Sequence, residues 1–351
     1  MPLELPKSRR VQSLALVLIS LLMPLAAGAA SCKTQSQMTA EQREALSSAV
    51  RMIGGEVQSG DTQALRANTV SAVAADFSGI AGSVDDLKPL VQRAAITIES
   101  LYMLDALAEP GGSARTDFYC GTPLVVLHFS DLPAGTYAVA ILHATGVAQP
   151  QQISLILSET SEHRWMLAGF FSRPMVEAGH DGLWYWTSAR SFAQKNMNWN
   201  AWFYYRTAAY LLAPAEFLSS PNLQKLEQEE ARSRPDSLPG TKPVSLDVHG
   251  LVFQVTTMDT SAALGSLDLE VHYAADNAQA GQLRDPVSAR KQVTEVMMTL
   301  LALHPELQEA FHGIWVYADV GPTSVFSLEL PMDQIVPVIQ VPAMRPNSVP
   351  Q

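Results

Sequence analysis

Residues 184–217 read WYWTSARSFAQKNMNWNAWFYYRTAAYLLAPAEF, and this stretch dictates how the rest of the chain must be arranged. It holds eleven of the chain's 26 aromatic residues and four of its six tryptophans. Asp181 and Asn198 stand where helix N-caps belong, and Pro214 closes the helical pattern. The spacing predicts two helices, roughly 182–195 and 199–213, folded back as a hairpin within residues 180–230. Trp202, Tyr205, Arg206 and Ala209 share one face of the second helix, while Phe203 and Tyr210 share another. Two short helices cannot hide rings on both faces by themselves. Either the flanking parts of the chain cover them, the usual fate of large apolar rings, or one face is a stacking platform for a sugar, a peptide or a partner helix. The candidate platform comprises Trp184, Trp186, Trp199, Trp202 and Tyr205.

The approach to this hairpin carries the best polar candidates, Arg173 and the pair His180-Asp181. An imidazole oriented by a carboxylate can act as acid or base near neutral pH. Adjacent residues rarely face one another, however, and Asp181 reads more simply as the helix cap.

Upstream, Thr39-Ala40-Glu41-Gln42 is a capping-box pattern. Leu46, Ala49, Val50 and Ile53 come next at helical spacing, and Gly54-Gly55 is expected to stop the helix. A second helix is expected from Asp61 to about Ala75, and a short one near Asp85-Asp86. The period then changes to alternation: Ile96 and Ile98 on one side, Thr97 and Glu99 on the other. Strand-like runs continue at 116–120, 124–129, 136–145, 152–158 and 165–171, separated by Gly- and Pro-containing turns. No helix-length segment lies between them, so the expectation is a curved antiparallel meander. Helices followed by such a meander resemble the NTF2-like (cystatin-like) cone over residues 38–173. That resemblance implies a pocket inside the cone; His128 and His143, on predicted strands, either line its mouth or, as histidines on strands more often do, are simply buried or surface-exposed.

Downstream, Glu227 to Pro243 is polar and reads as a linker. Residues 244–331 have the order βββ-α-ββ, a small α+β sandwich whose helix opens at Asp285-Pro286 and buries Val293, Val296, Met297, Leu300 and Leu301. A proline-rich tail occupies 332–351. The fold class is therefore α+β throughout.

Residues 1–29 read as a secretory signal: Lys7, Arg9 and Arg10, then an apolar run from Val11 to Leu25, then small residues with Ala27 and Ala29 suited to cleavage. The run is shorter than the roughly 20 apolar residues of a membrane span. Export favours pairing of the only two cysteines, Cys32 and Cys120. In the alternative, Ala29-Ala30-Ser31-Cys32 acts as a lipobox, Cys32 carries lipid and anchors an outer-membrane lipoprotein, and Cys120 stays a lone thiol.

Composition narrows function by exclusion. A net charge of −11 argues against nucleic acid and anionic lipid as partners. G-x-S-x-G, H-E-x-x-H, Walker A and G-x-G-x-x-G are all absent, and no cofactor signature is present. Asp247-x-His249 and Glu270-x-His272 could each present a carboxylate and an imidazole on one strand face. Exposed polar strands produce the same pattern, and no metal is expected. His304 and His312 are separated by Pro305 and share no secured helix face.

The segments AGHDGLWYW (178–186), NAWFYY (200–205) and FHGIWVYAD (311–319), with the placement of Cys32 and Cys120, resemble an uncharacterised family of exported bacterial proteins. The resemblance implies a periplasmic or extracellular protein and carries no activity with it. The sequence leads to a non-enzymatic protein binding a small molecule or protein partner, with an NTF2-like hydrolase or isomerase, its polar site in the cone, as the alternative.

Overall fold

The computed structural model describes residues 30–106, 115–121 and 124–335. The signal-like segment 1–29, the turn residues Gly111-Gly112 and Thr122-Pro123, and the tail beyond Ile335 lie outside the described residues. The fold is mixed α+β, and no sheet among the described residues closes into a barrel.

The first part runs β1 (Ser31–Thr34), α1 (Ala40–Ser59), α2 (Thr62–Ala67), α3 (Ser71–Ala74), α4 (Ser78–Val91), β2 (Ala95–Ala106), β3 (Arg115–Cys120), β4 (Val125–Ser130), β5 (Gly135–Thr145), β6 (Gln151–Glu159) and β7 (Trp165–Pro174). The Thr39 capping box forms as its spacing requires. The helix does not stop at Gly54-Gly55. It continues to Gly60, whose left-handed backbone donates to the carbonyls of Glu56 and Val57. Gly54 instead faces the sheet, where a Cβ would meet the Leu142 side chain at 3.3 Å. The single helix expected over 61–75 is broken at Asn68–Val70. There the backbone leaves the helix to bond β7, through Val70 N–H to the Leu167 carbonyl and Leu167 N–H to Asn68. Asp85-Asp86 lies inside α4 rather than at its start.

The main sheet has the order β1-β2-β5-β6-β7, all antiparallel. The meander is therefore interrupted: β2 pairs directly with β5, and the β3–β4 hairpin folds away into a separate small sheet. One face of the main sheet, including Leu101, Met103, Ala138, Ala140, Leu142, Ile153 and Leu155, packs beneath α1 and α4. The opposite face, with Leu104, Tyr137, Val139 and Ile141, is covered by Phe118, Cys120 and Leu127 of the small sheet. Alternation along β5 sends odd and even residues to these two layers. Cys32 and Cys120 form a disulfide that ties β1 to β3. The Cys32 sulfur is thus not free to carry lipid.

The aromatic segment comes after β8 (Val176–Glu177) and β9 (His180–Asp181) and forms α5 (Gly182–Gln194) and α6 (Asn198–Leu212). Next come β10 (Leu218–Ser219), which joins the small sheet beside β4, and α7 (Pro221–Ser233). The expected linker is shorter than its polarity suggested. Residues 227–233 belong to α7, which buries Leu223 and Leu226, turns Lys225, Glu227 and Arg232 to solvent, and half-buries Glu229 and Glu230.

The last part runs β11 (Val244–Val248), β12 (Leu251–Ser261), β13 (Asp268–Ala274), α8 (Asn277–Gln282), α9 (Pro286–Leu303), β14 (Gly313–Val320) and β15 (Thr323–Pro331). Its sheet has that same strand order, with β13 and β14 parallel across the α9 crossover and every other pair antiparallel. Asp285 caps α9 and Pro286 occupies its first turn. Tyr185, Trp199, Trp202, Phe203, Tyr204 and Tyr205 share one continuous core with this sheet and α9. Among the described residues, no helix is long and apolar enough to cross a membrane.

Two stability measurements check this architecture. Trp202→Ala is expected to cost about 3–5 kcal/mol in urea unfolding, because it empties a packed site. Replacing both cysteines with serine opens a closure spanning 88 residues, for which chain entropy predicts a loss on the order of 4 kcal/mol. Denaturation of the unreduced chain should expose no titratable thiol.

Candidate functional site

A cleft of about 710 Å³ lies between the main sheet, the small sheet and the ends of α5, α6 and α7. This volume falls in the range of about 300–1,000 Å³ typical of small-molecule sites. Its floor is the sheet face opposite α1 and α4, and Tyr102, Ile141, His143 and Gln152 line it there. Its roof is apolar: Leu183 and Trp186 from α5, Leu211 and Leu212 from α6, Leu218 of β10 and Leu223 of α7. A more polar cavity of about 820 Å³ adjoins it along Glu99, Ser100, Tyr102 and Val125, and reaches Cys120.

The roof is held by long-range polar contacts. The last carbonyls of a helix need donors, and α6 finds one on the sheet: the Gln152 amide donates to the Leu211 carbonyl at 2.8 Å. Ser154 donates to Pro214 at 3.0 Å. Arg173 donates to Ala213 at 3.2 Å and lies over the Tyr210 ring. The start of α5 meets α6 closely enough that a Cβ on Gly182 would collide with Leu212. Only glycine permits that approach.

Glu99 is a cleft residue that the site candidates above do not include, although alternation already set it on the face opposite Ile96 and Ile98. The register of β2 against β5 slips between Ile98 and Ser100, so Glu99 is the extra residue of a β-bulge. A bulge bends its strand and re-aims a side chain. Glu99 thereby lines the cleft, with its carboxylate 3.9 Å from His143 Nδ1. The bulge leaves a trace in the sequence: the apolar positions on the α1 side change parity, from Ile96 and Ile98 to Leu101 and Met103.

The polar candidates from the hairpin approach have separate fates. Asp181 is the α5 cap, accepting the Trp184 N–H at 2.8 Å, and it also borders the cleft. His180 stacks on Trp184, with ring centroids 3.6 Å apart and planes within 8°. The His180-Asp181 dyad is therefore not assembled, because the carboxylate serves the backbone and the imidazole serves a ring. Arg173 is occupied with α6 and with Glu216, 3.4 Å away.

The stacking platform divides as well. Trp199, Trp202 and Tyr205 are buried and offer no face to a ligand. The Arg206 and Arg234 guanidiniums both lie over the Trp202 ring, and Trp199 lies against His304. Trp184 remains 40% exposed beneath His180. Of the five platform residues, Trp186 alone faces the cleft, as a fixed wall. Its indole N–H donates to Glu229 at 2.7 Å, and Arg190 covers the ring while binding both oxygens of the same carboxylate. Burial alone would raise the Glu229 pKa, but hydrogen bonds from Arg190 and Trp186 hold it below its ordinary value.

The other histidines are dispersed. His128 pairs with Asp117 on the small sheet, so only His143 lies in the cleft. The α1-side interior that an NTF2-like cone would open is filled with Leu, Ile, Val and Ala. Asp247 accepts from Gly250 N–H in a turn, apart from any imidazole. Glu270 and His272 do meet, at 3.1 Å, and Asp319 takes the other ring nitrogen at 2.9 Å. His304 and His312 turn to different partners, Glu306 and Asp268.

No protein-family model, curated protein or solved structure matches the chain.

His304 generates a pH prediction. Its burial lowers its pKa from 6.5, and Glu306 opposes this only in part. The unfolded chain then takes up a proton that the folded chain refuses, so stability rises with pH in this window. The contribution of the neutral ring is complete above about 6.5 and is lost as pH falls through that value. His304→Gln should flatten this acid-side loss in urea titrations. Identical pH slopes for the two proteins would refute the assignment.

Proposed function

We propose that the chain is an exported, non-catalytic binding protein whose cleft takes a small amphipathic molecule. The observation that carries this reading is the cleft itself: an apolar roof set over a floor with one carboxylate–imidazole pair. Apolar walls supply affinity in proportion to the area they cover. A few fixed polar groups then orient the ligand. The acidic side chains Glu99 and Asp181 at the cleft, with the chain's net charge of −11, favour a neutral or cationic head group over an anion. The disulfide supports an oxidising compartment, periplasmic or extracellular. Membership of an exported bacterial family stays part of the same proposal.

One observation favours a second reading, an NTF2-like hydrolase or isomerase. Glu99 and His143 have the chemistry of an acid–base pair within a pocket. Against it, the Glu99 side chain is 60% exposed, and its 3.9 Å separation from His143 is not a hydrogen bond. Catalytic electrostatics depend on a dry, fixed site, so binding is the better supported use of this floor.

The test uses the disulfide-intact chain and the neutral fluorescent probe N-phenyl-naphthylamine. Saturable binding of one probe per chain is expected, weakened at least about tenfold by Leu183→Asp. Leu183 is exposed, so that variant should melt like the parent. Unsaturable binding, or equal affinity in the variant, defeats the proposal. Hydrolysis of a naphthyl ester that vanishes in His143→Ala would install the enzymatic reading instead.

A further inference from the structure

The second sheet holds a group of side chains that the cleft does not involve. Asp268 is the first residue of β13, His312 immediately precedes β14, and Glu329 lies near the end of β15. These three strands are neighbours, so the residues meet at one end of the sheet. The backbone pins them there: His312 N–H donates to the Leu267 carbonyl, and Met332 N–H donates to the His312 carbonyl, both at 2.8 Å. One donor atom from each side chain lies within 4.8 Å of the other two.

We infer that Asp268, His312 and Glu329 form a binding site for a divalent transition-metal ion of the zinc class.

The independent observation is a pair of orphaned oxygens. Asp268 is 1% exposed; its Oδ1 sits 3.3 Å from His312 Nδ1, while its Oδ2 is buried without a partner. Glu329 Oε1 is likewise buried and unpartnered. Buried acceptors without a donor are rare, because each forgoes the water it would otherwise bind. Two carboxylates against one imidazole leave negative charge in excess, and a doubly charged cation removes it. At metal–donor bonds of roughly 2.0–2.2 Å, two ligands of one ion stand at most about 4.4 Å apart. Side-chain adjustments of a few tenths of an ångström close the difference. A set of one nitrogen and two oxygens suits zinc or manganese better than a soft, thiolate-seeking ion. Gly313 belongs to the design: any Cβ there would strike Glu329 Oε1 and the Leu330 carbonyl. His312 is 54% exposed, so the ion keeps a side facing water and has a path of access.

The Glu270–His272–Asp319 group is a weaker claimant. Both ring nitrogens of His272 are already engaged, on opposite edges of an imidazole stacked flat on Tyr317. No single point is open to all three side chains.

The experiment titrates the chelator-stripped full chain with Zn²⁺ by calorimetry, and with Co²⁺ by visible absorption. One ion per chain is expected, with a cobalt ligand-field band and a melting temperature that rises with added Zn²⁺. His312→Ala, at an exposed position, should fold and weaken binding at least about tenfold. Glu329→Gln should do likewise, while His272→Ala should leave affinity unchanged. Absence of saturable binding at millimolar Zn²⁺ would overturn the inference. Undiminished binding in His312→Ala, or its loss in His272→Ala, would overturn it too.

Discussion

Helix α6 carries aromatic rings around its circumference, and every one except the exposed Tyr210 is kept from water by a packed partner. Trp199, Trp202, Phe203, Tyr204 and Tyr205 are all buried, as are Ala201, Ala208 and Leu211. A helix apolar on all sides belongs inside a protein. The partners come from three directions: Tyr185 of α5, Leu226 of α7, and the C-terminal core through Phe311, Val255 and Met258. Two of the polar groups that travel inward with the helix find backbone partners, while Asn200 Oδ1 stays buried without one. The Asn200 amide donates to the Glu306 carbonyl at 2.6 Å, and the Tyr204 hydroxyl donates to Ala310 at 2.7 Å. Edge-on ring contacts, as between Phe203 and Phe311, lock the geometry further.

The position of α6 determines where the cleft can be. Its C-terminal end lands on the face of the main sheet that α1 and α4 leave uncovered, and Gln152 and Ser154 hold it there. The small sheet covers one end of that face and the hairpin overhangs the other. The space between them is the cleft. Its apolar roof is thus the same material as the helical core, turned outward at Leu183, Leu211 and Leu212. Its polar floor arises independently, from a bulge in β2 and one outward-facing position on β5. Rigidity comes from both sides, through Gly182 packed against α6 and the Trp186–Glu229–Arg190 cluster.

The two ends of the molecule treat buried charge differently. In the hairpin, Glu229 is answered by a guanidinium and an indole, and its proton affinity falls accordingly. At the end of the second sheet, Asp268 and Glu329 lie together with one imidazole, and burial raises both. A carboxylate with donors is a structural fastening. At the β13–β15 end, His312 and the Gly313 backbone answer Asp268 only in part, and one oxygen of each carboxylate stays buried without a partner.

Features that act over a few residues were legible in the chain before it folded. The Thr39 capping box, the caps at Asp181 and Asp285, the proline opening α9 and the helical period of 286–303 each depend on neighbours within about one turn. The same holds for the α+β class, read from the change of period, and for the demand that something cover the aromatic stretch. Other features depend on partners far along the chain and came only with packing. Gly54 lies inside a helix at the point where a Cβ would meet Leu142 of the sheet, whereas a glycine pair alone reads as a stop. Gln152 and Ser154 belong to a run legible only as a strand, and they serve a helix end some 60 residues away. Asp268 and His312 meet across 44 residues only because a crossover helix sets their strands side by side. Local propensity carries no record of which distant surface will arrive, so the cleft and the Asp268 cluster exist only once the layers have packed.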